Sequence, residues 1–110
     1  FSVDTDNGLQ SLLSARFGRA AGFLVVDTDS GEALYVNNSE NVQAAQGAGI
    51  QASQQLVELG VKAVVTGRTG PKAQQVLDAN NIQTYRCDPK PVDQALNAFK
   101  QGELSLQAQG

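Results

Sequence analysis

The sequence predicts an α/β fold: a mixed five-stranded sheet with helices on both faces, in three α/β/α layers. Two observations carry that expectation. In the second half, short apolar runs rich in β-branched residues alternate with stretches of helical period, the pattern of β-α-β units. In the first half, strand-like segments are separated by Asp, Asn and Gly turns, the pattern of antiparallel hairpins. The length, 110 residues, suits one core, because two would each be very small.

Phe1–Asp4 alternates apolar and polar as a strand does, and Thr5-Asp6-Asn7-Gly8 is a turn. Leu9–Gly22 reads as a long loop, since Gly18 and Gly22 interrupt any extended helix. Phe23–Asp27 is a second strand whose continuous apolar run suits burial on both faces. Asp29-Ser30-Gly31-Glu32 turns the chain into a third, Ala33–Val36, and Asn37–Gln46 is a polar loop. Ala52, Leu56 and Leu59 give one face of a helix from Ala48 to Leu59, stopped by Gly60. Val61–Thr66 is a β-branched strand and Gly67–Gly70 a tight turn. Pro71 then opens a helix that buries Ala73, Val76 and Leu77 and ends at Asn80-Asn81. Ile82–Asp88 is the fifth strand and Pro89-Lys90-Pro91 a rigid connector. Val92, Ala95, Leu96 and Phe99 line the last helix, closed by Gly102. Residues 1–102 are thus read as the folded domain, and 103–110 as a frayed polar tail.

Composition excludes whole classes of chemistry. There is no His, no Met and no Trp, and Cys87 is the single cysteine. Imidazole metal sites, Ser-His-Asp or Cys-His catalysis, disulfides and multi-thiolate clusters are therefore out of reach. The net charge of −3 disfavours a nucleic-acid partner. No apolar run reaches the roughly 20 residues of a membrane span, and no export signal is evident, so a cytoplasmic monomer is expected. Phe1 is not an initiator Met, which leaves open whether residues precede it.

Three glycine-bearing segments are candidates for binding. Thr66-Gly67-Arg68-Thr69-Gly70-Pro71-Lys72 joins a strand to a helix N-terminus, where α/β sheets place ligands. Gly67, Arg68, Gly70 and Lys72 would make an anion cradle; alternatively the glycines only shape a turn. Ser14-Ala15-Arg16-Phe17-Gly18-Arg19-Ala20 sets two guanidinium groups in an acidic chain. Arg16 and Arg19 suit a multivalent anion or, equally, surface ion pairs, while Phe17 reads as core. Gly47-Ala48-Gly49-Ile50 precedes a helix, where small residues admit either a ligand or close packing against the sheet. Asp4, Asp6, Asp27 and Asp29 would hold Mg²⁺ for phosphoryl transfer if they met at adjoining strand ends. Two of them sit in turn sequences that favour Asp for conformational reasons. Cys87 reads as a small apolar residue, with metal ligation the minority alternative.

Taken together, these segments resemble the dinitrogenase iron–molybdenum cofactor biosynthesis family, which includes NifX, NafY and the carboxyl-terminal part of NifB. The resemblance rests on Ser14-x-x-Phe17-Gly18-Arg19-Ala20 with Phe23–Asp27, on Gly47–Ala52, and above all on Leu59–Ala73. It implies a ribonuclease H-like α/β/α fold without nuclease activity. It also implies carriage of an iron–molybdenum cluster or of a tetrathiomolybdate-derived molybdenum–copper sulfide trianion, held non-covalently. The implied partners are P-loop ATPases or cofactor-biosynthesis proteins. Many members carry His immediately before the Phe-Gly pair; here that residue is Arg16, so charge pairing replaces any imidazole ligand. Arg16, Arg19, Arg68 and Lys72 would meet the anion, with Phe17 or Ile50 as apolar walls. A carrier without turnover is the leading expectation. A protein-interaction or regulatory module and, less favoured, a Mg²⁺-dependent phosphoryl-transfer enzyme are the alternatives.

Overall fold

The computed structural model describes residues 1–38 and 48–106. Gly47 and nearly all of the loop expected over Asn37–Gln46 lie outside the described residues. The elements run β1 (Ser2–Val3), a 3-10 turn (Gly8–Gln10), β2 (Gly22–Val26), β3 (Ala33–Asn37) and α1 (Ala48–Glu58). They continue with β4 (Ala63–Thr66), α2 (Pro71–Ala79), β5 (Gln83–Arg86), α3 (Val92–Lys100) and β6 (Ser105–Leu106).

The strands form two three-stranded sheets, β1-β2-β3 and β4-β5-β6, in place of the single five-stranded sheet expected. The first is antiparallel throughout, with β2 and β3 in register from Gly22↔Asn37 to Val26↔Ala33. Its hairpin turn is fixed by Asp27, whose Oδ1 accepts the Asp29 amide at 2.9 Å and the Ser30 amide at 3.3 Å. The second sheet pairs β4 with β5 in parallel and β5 with β6 antiparallel. Ser105–Leu106 therefore leaves the expected tail to become an edge strand.

The two sheets meet at β1 and β4. They touch where the buried Ser2 hydroxyl donates to Thr66 Oγ1 at 2.7 Å. The segment before Arg16 closes that joint: the Ser14 amide donates to Ser2 O, the Gly67 amide to Ser14 O and the Leu13 amide to Lys90 O. Leu9–Gly22, read as a loop, thus carries a 3-10 turn and two isolated bridges, Val3↔Leu13 and Leu12↔Pro91. Their backbone bonds are long-range, so no local periodicity announces them.

Consecutive residues of a strand face opposite ways, and β4 uses both faces. Val64 packs in a cluster with Ala52 and Leu56 of α1, Ala73 and Leu77 of α2, and Phe17 and Phe23. Val65 packs with Leu13, Cys87 and Ala95 of α3 on the other side. Helices therefore cover both faces of this sheet. One residue of the expected α1 face is misplaced: Leu59 is 44% exposed, because the helix stops at Glu58 and Gly60 turns the chain with φ +76°.

Candidate functional site

Strand β4 ends at Thr66, and the chain must leave the sheet before α2 can start. Gly67 permits the exit that is taken. A Cβ on Gly67 would lie 2.5 Å from Ala15 O and 2.6 Å from Ala15 Cα, both backbone atoms that cannot swing aside. Two hydrogen bonds lock this approach: Gly67 N–H to Ser14 O at 3.2 Å, and Phe17 N–H to Arg68 O at 2.9 Å. The Ser14–Ala20 and Thr66–Lys72 segments, about fifty residues apart in sequence, are thereby one surface.

Ser14 organises the loop side of that surface. Its buried hydroxyl donates to Arg16 O at 3.0 Å and accepts the Arg16 amide at 3.2 Å, a local turn of the kind serine favours. The Phe17 ring points inward instead, 1% exposed and 5.2 Å from the Phe23 ring. Phe17 thus offers only backbone to a surface ligand, whereas Arg16 and Arg19 are exposed and Gly18 is half-buried. On the rim, the buried Asn38 side chain donates to Ala20 O at 2.9 Å, tying the end of β3 to the same loop. The sequence names Ser14 only as the head of its segment and Asn38 only within a polar loop; their partners, backbone carbonyls, leave no mark in a residue pattern.

On the turn side, Arg68, Gly70 and Lys72 are exposed. Gly70 is the residue before α2, at φ −77°, and a Cβ there would meet nothing within 4 Å. Its glycine is not required by space. The first intrahelical bond of α2 runs from the Gln74 amide to Gly70 O at 3.0 Å. The Lys72 and Ala73 amides precede it, at the positive end of the helix dipole. Segments 14–20 and 66–73 together hold four cations and no carboxylate.

Gly49 joins this end of the molecule in a different capacity. Its Cα hydrogen side faces Ala73, whose Cβ would be 3.1 Å from an added Cβ. Ser53 Oγ donates to Gly49 O at 2.7 Å and reaches Ala73 O at 3.4 Å. Gly49 lets α1 press on α2, so close packing is helix on helix, not helix on sheet. Ile50, next along, is half-buried.

Cys87 is 4% exposed and on the α3 face, among Leu13, Val65 and Ala95. Burial pushes its thiol pKa up; Asp88 adds to the rise, and Lys90 opposes it. Burial thus favours the neutral thiol over the thiolate that metal ligation uses. The four aspartates do not come together. β1 and β2 are antiparallel, which sends Asp4 and Asp27 to opposite ends of the sheet. Asp27 is committed to its turn, and among the described residues no three His, Cys, Asp or Glu side chains form a metal-holding group.

A cleft of about 820 Å³ lies at the far end, between β2 and the start of β4. Its walls include Phe1, Val26, Leu56 and Val64, and its charged rim is Asp27, Asp29, Glu32 and Lys62. Three carboxylates against one ammonium make it a poor receptor for an anion. The cations Arg16, Arg19, Arg68 and Lys72 gather instead on the surface around Gly67.

A family model described as dinitrogenase iron-molybdenum cofactor matches residues 1–102. The apo orange protein of Desulfovibrio gigas superposes with a TM-score of 0.92 at 39% identity, over 97% of this chain and 91% of that one. A provisionally named NifB protein from Thermotoga gives 0.81 at 31% identity, over 99% and 95% of the two chains. An uncharacterised protein of Methanocaldococcus jannaschii is 28% identical over 97 residues, 84% of this chain and 80% of that one.

Proposed function

This chain belongs to the dinitrogenase iron–molybdenum cofactor family, and we propose that it binds and carries a preassembled metal–sulfur cluster without turnover of its own. The favoured cargo is a tetrathiomolybdate-derived molybdenum–copper sulfide trianion, held non-covalently; an iron–molybdenum cluster is the alternative. One observation carries the reading: the paired bonds Gly67 N–H to Ser14 O and Phe17 N–H to Arg68 O bring the Arg16–Arg19 loop beside the Arg68–Lys72 turn. The donor set fits such a cargo. With no His or Met and a buried, protonated Cys87, the chain has no soft side chain to cage a bare metal ion. It does have permanently charged guanidinium groups and helix-terminal amides that donate to sulfide.

In this reading Arg16, Arg19, Arg68 and Lys72 neutralise the anion, the Lys72 and Ala73 amides donate to it, and Ile50 shields one side. Gly67 and Gly18 hold the loops in place. The ribonuclease H-like relation, the cytoplasmic setting, the monomeric state and delivery to cofactor-biosynthesis proteins or P-loop ATPases belong to the same proposal. Anaerobic reconstitution with tetrathiomolybdate and copper tests it, read by visible absorption and elemental analysis. Sulfur-to-metal charge-transfer bands with stoichiometric molybdenum are expected. A colourless, metal-free protein would turn the reading to an interaction module.

A further inference from the structure

The turn that carries Arg68 has a second fastening besides the backbone bonds that join it to Ser14 and Phe17. Helices usually open with a residue whose side chain accepts one of the first free amides. Gly70 holds that position before α2 and makes no such bond. The angle at which a chain enters a helix is often fixed by a hydrophobic pair, between the residue before the cap and the fourth helical residue. Here those two residues are Thr69 and Gln74, and they meet through polar atoms. The Thr69 hydroxyl donates to Gln74 Oε1 at 2.6 Å.

Gln74 is itself anchored. Its Nε2 donates to Asp78 Oδ1 at 2.9 Å, one turn along α2, and to Thr84 Oγ1 of β5 at 3.3 Å. These contacts orient the carboxamide, because the reverse arrangement would set Oε1 against a carboxylate oxygen. Thr84 is 2% exposed and sits in the parallel ladder opposite Val64. Thr69, Gln74 and Thr84 thus form a chain from the turn to the sheet that the turn has just left. Gln74 is only 8% exposed and belongs to the buried face of α2, with Ala73 and Leu77. Packing alone would put an apolar side chain there, since a buried carboxamide is costly unless its hydrogen bonds are made.

We propose that Gln74 is a positioning residue of the anion site: through the Thr69 hydroxyl it holds the Arg68 turn where the Arg68 guanidinium and the Arg16–Arg19 loop meet one anion. The proposal rests on the carrier reading above. A neutral carboxamide suits the task, because it grips the turn without placing negative charge beside Arg68 and Lys72, as a glutamate would. Gln74 touches no ligand, and its effect reaches the anion through Arg68.

The test applies tetrathiomolybdate titration, Phe17 amide exchange and thermal melting to the whole chain and five variants: Gln74→Met, Thr69→Val, the two combined, Thr69→Ser and Ile82→Val. The Phe17 amide donates to Arg68 O, so its exchange reads the turn in the absence of ligand. Gln74→Met and Thr69→Val should each weaken binding about fivefold, the worth of one neutral hydrogen bond, and speed Phe17 exchange by about the same factor. The combined variant should bind no more weakly than Gln74→Met, because both changes break one chain. Thr69→Ser, which keeps the hydroxyl, should bind as the parent does. Ile82→Val, in the core cluster of Ala73 and Leu77, should lower the melting temperature but leave affinity and exchange unchanged. With the parent binding, the proposal alone is overturned if Gln74→Met keeps parental affinity, or if the two losses add in the combined variant. It is overturned likewise if Ile82→Val loses affinity in step with its melting temperature. A parent that binds no tetrathiomolybdate overturns the carrier reading and the proposal together.

Discussion

Replacing Gly67 by alanine isolates the contact on which the binding surface depends. The new methyl would sit 2.5–2.8 Å from the carbonyl oxygen, Cα and carbonyl carbon of Ala15. These are backbone atoms, so the Arg16–Arg19 loop must retreat from the Arg68 turn. Overpacking of this kind costs about 1–3 kcal/mol, and the two locking hydrogen bonds are worth about 1 kcal/mol each. A loss of roughly 3 kcal/mol is expected, which for a domain of this size lowers the melting temperature by on the order of 12 °C. Gly70→Ala is the internal control: same turn, same chemical change, but open space and φ −77°. Its shift should stay within about 1 kcal/mol. Circular-dichroism melting measures both, and Phe17 amide exchange reports whether its bond to Arg68 O is lost. If Gly67→Ala melts within about 2 °C of the parent, or Gly70→Ala is as damaging, the close approach does not hold the loops together.

Four further outcomes follow from the same geometry. Arg68→Ala and Arg16→Ala should each weaken tetrathiomolybdate binding by about tenfold, the worth of one charge-assisted contact, whereas Lys62→Ala, on the far rim, should not; equal titration curves for all three would remove the cradle. Cys87→Ser should leave the colour of reconstituted protein intact, since the thiol is buried and its pKa raised; bleaching would make it a ligand. Ser2→Ala alone strands the buried Thr66 hydroxyl and should cost about 1–3 kcal/mol in urea unfolding, while Ser2→Ala with Thr66→Val should recover part of the loss. Asp27 has its pKa lowered by the Asp29 and Ser30 amides. The turn support it gives is present above the ordinary carboxylate pKa and lost as pH falls through the depressed value. Ser30 amide protection should fall in acid for the parent and lose that pH dependence in Asp27→Asn.

The helices and the β2–β3 hairpin were legible because their signals are local. Pro71 at a helix start, Gly60 after α1 and Asp29-Ser30-Gly31 in a hairpin each act within a few residues. What escaped was long-range. The division into two sheets depends on which strands pair, and the structured run before Arg16 is held by bonds to Ser2, Gly67 and Lys90. Ser105–Leu106 pairs on β5, and the short alternation Leu104-Ser105-Leu106 inside a polar stretch is too brief to announce it. At the site, four cations were found by type, because charge in an acidic chain is conspicuous. Gly67 was singled out, but what it accommodates, the backbone of Ala15, could not be read from its neighbours. Phe17 was assigned both to the core and to the cluster wall; its burial leaves the first role for its ring.

The joint between the sheets has a consequence for how cargo and stability are coupled. The Arg16–Arg19 loop leads into β2, in one sheet, and the Arg68–Lys72 turn follows β4, in the other. A ligand gripped by both spans the seam and acts as a removable crosslink between two halves. A ligand that binds only the folded form raises its stability by RT ln(1 + [L]/Kd). Protein holding such a ligand should therefore resist proteolysis at the seam more than the empty protein does.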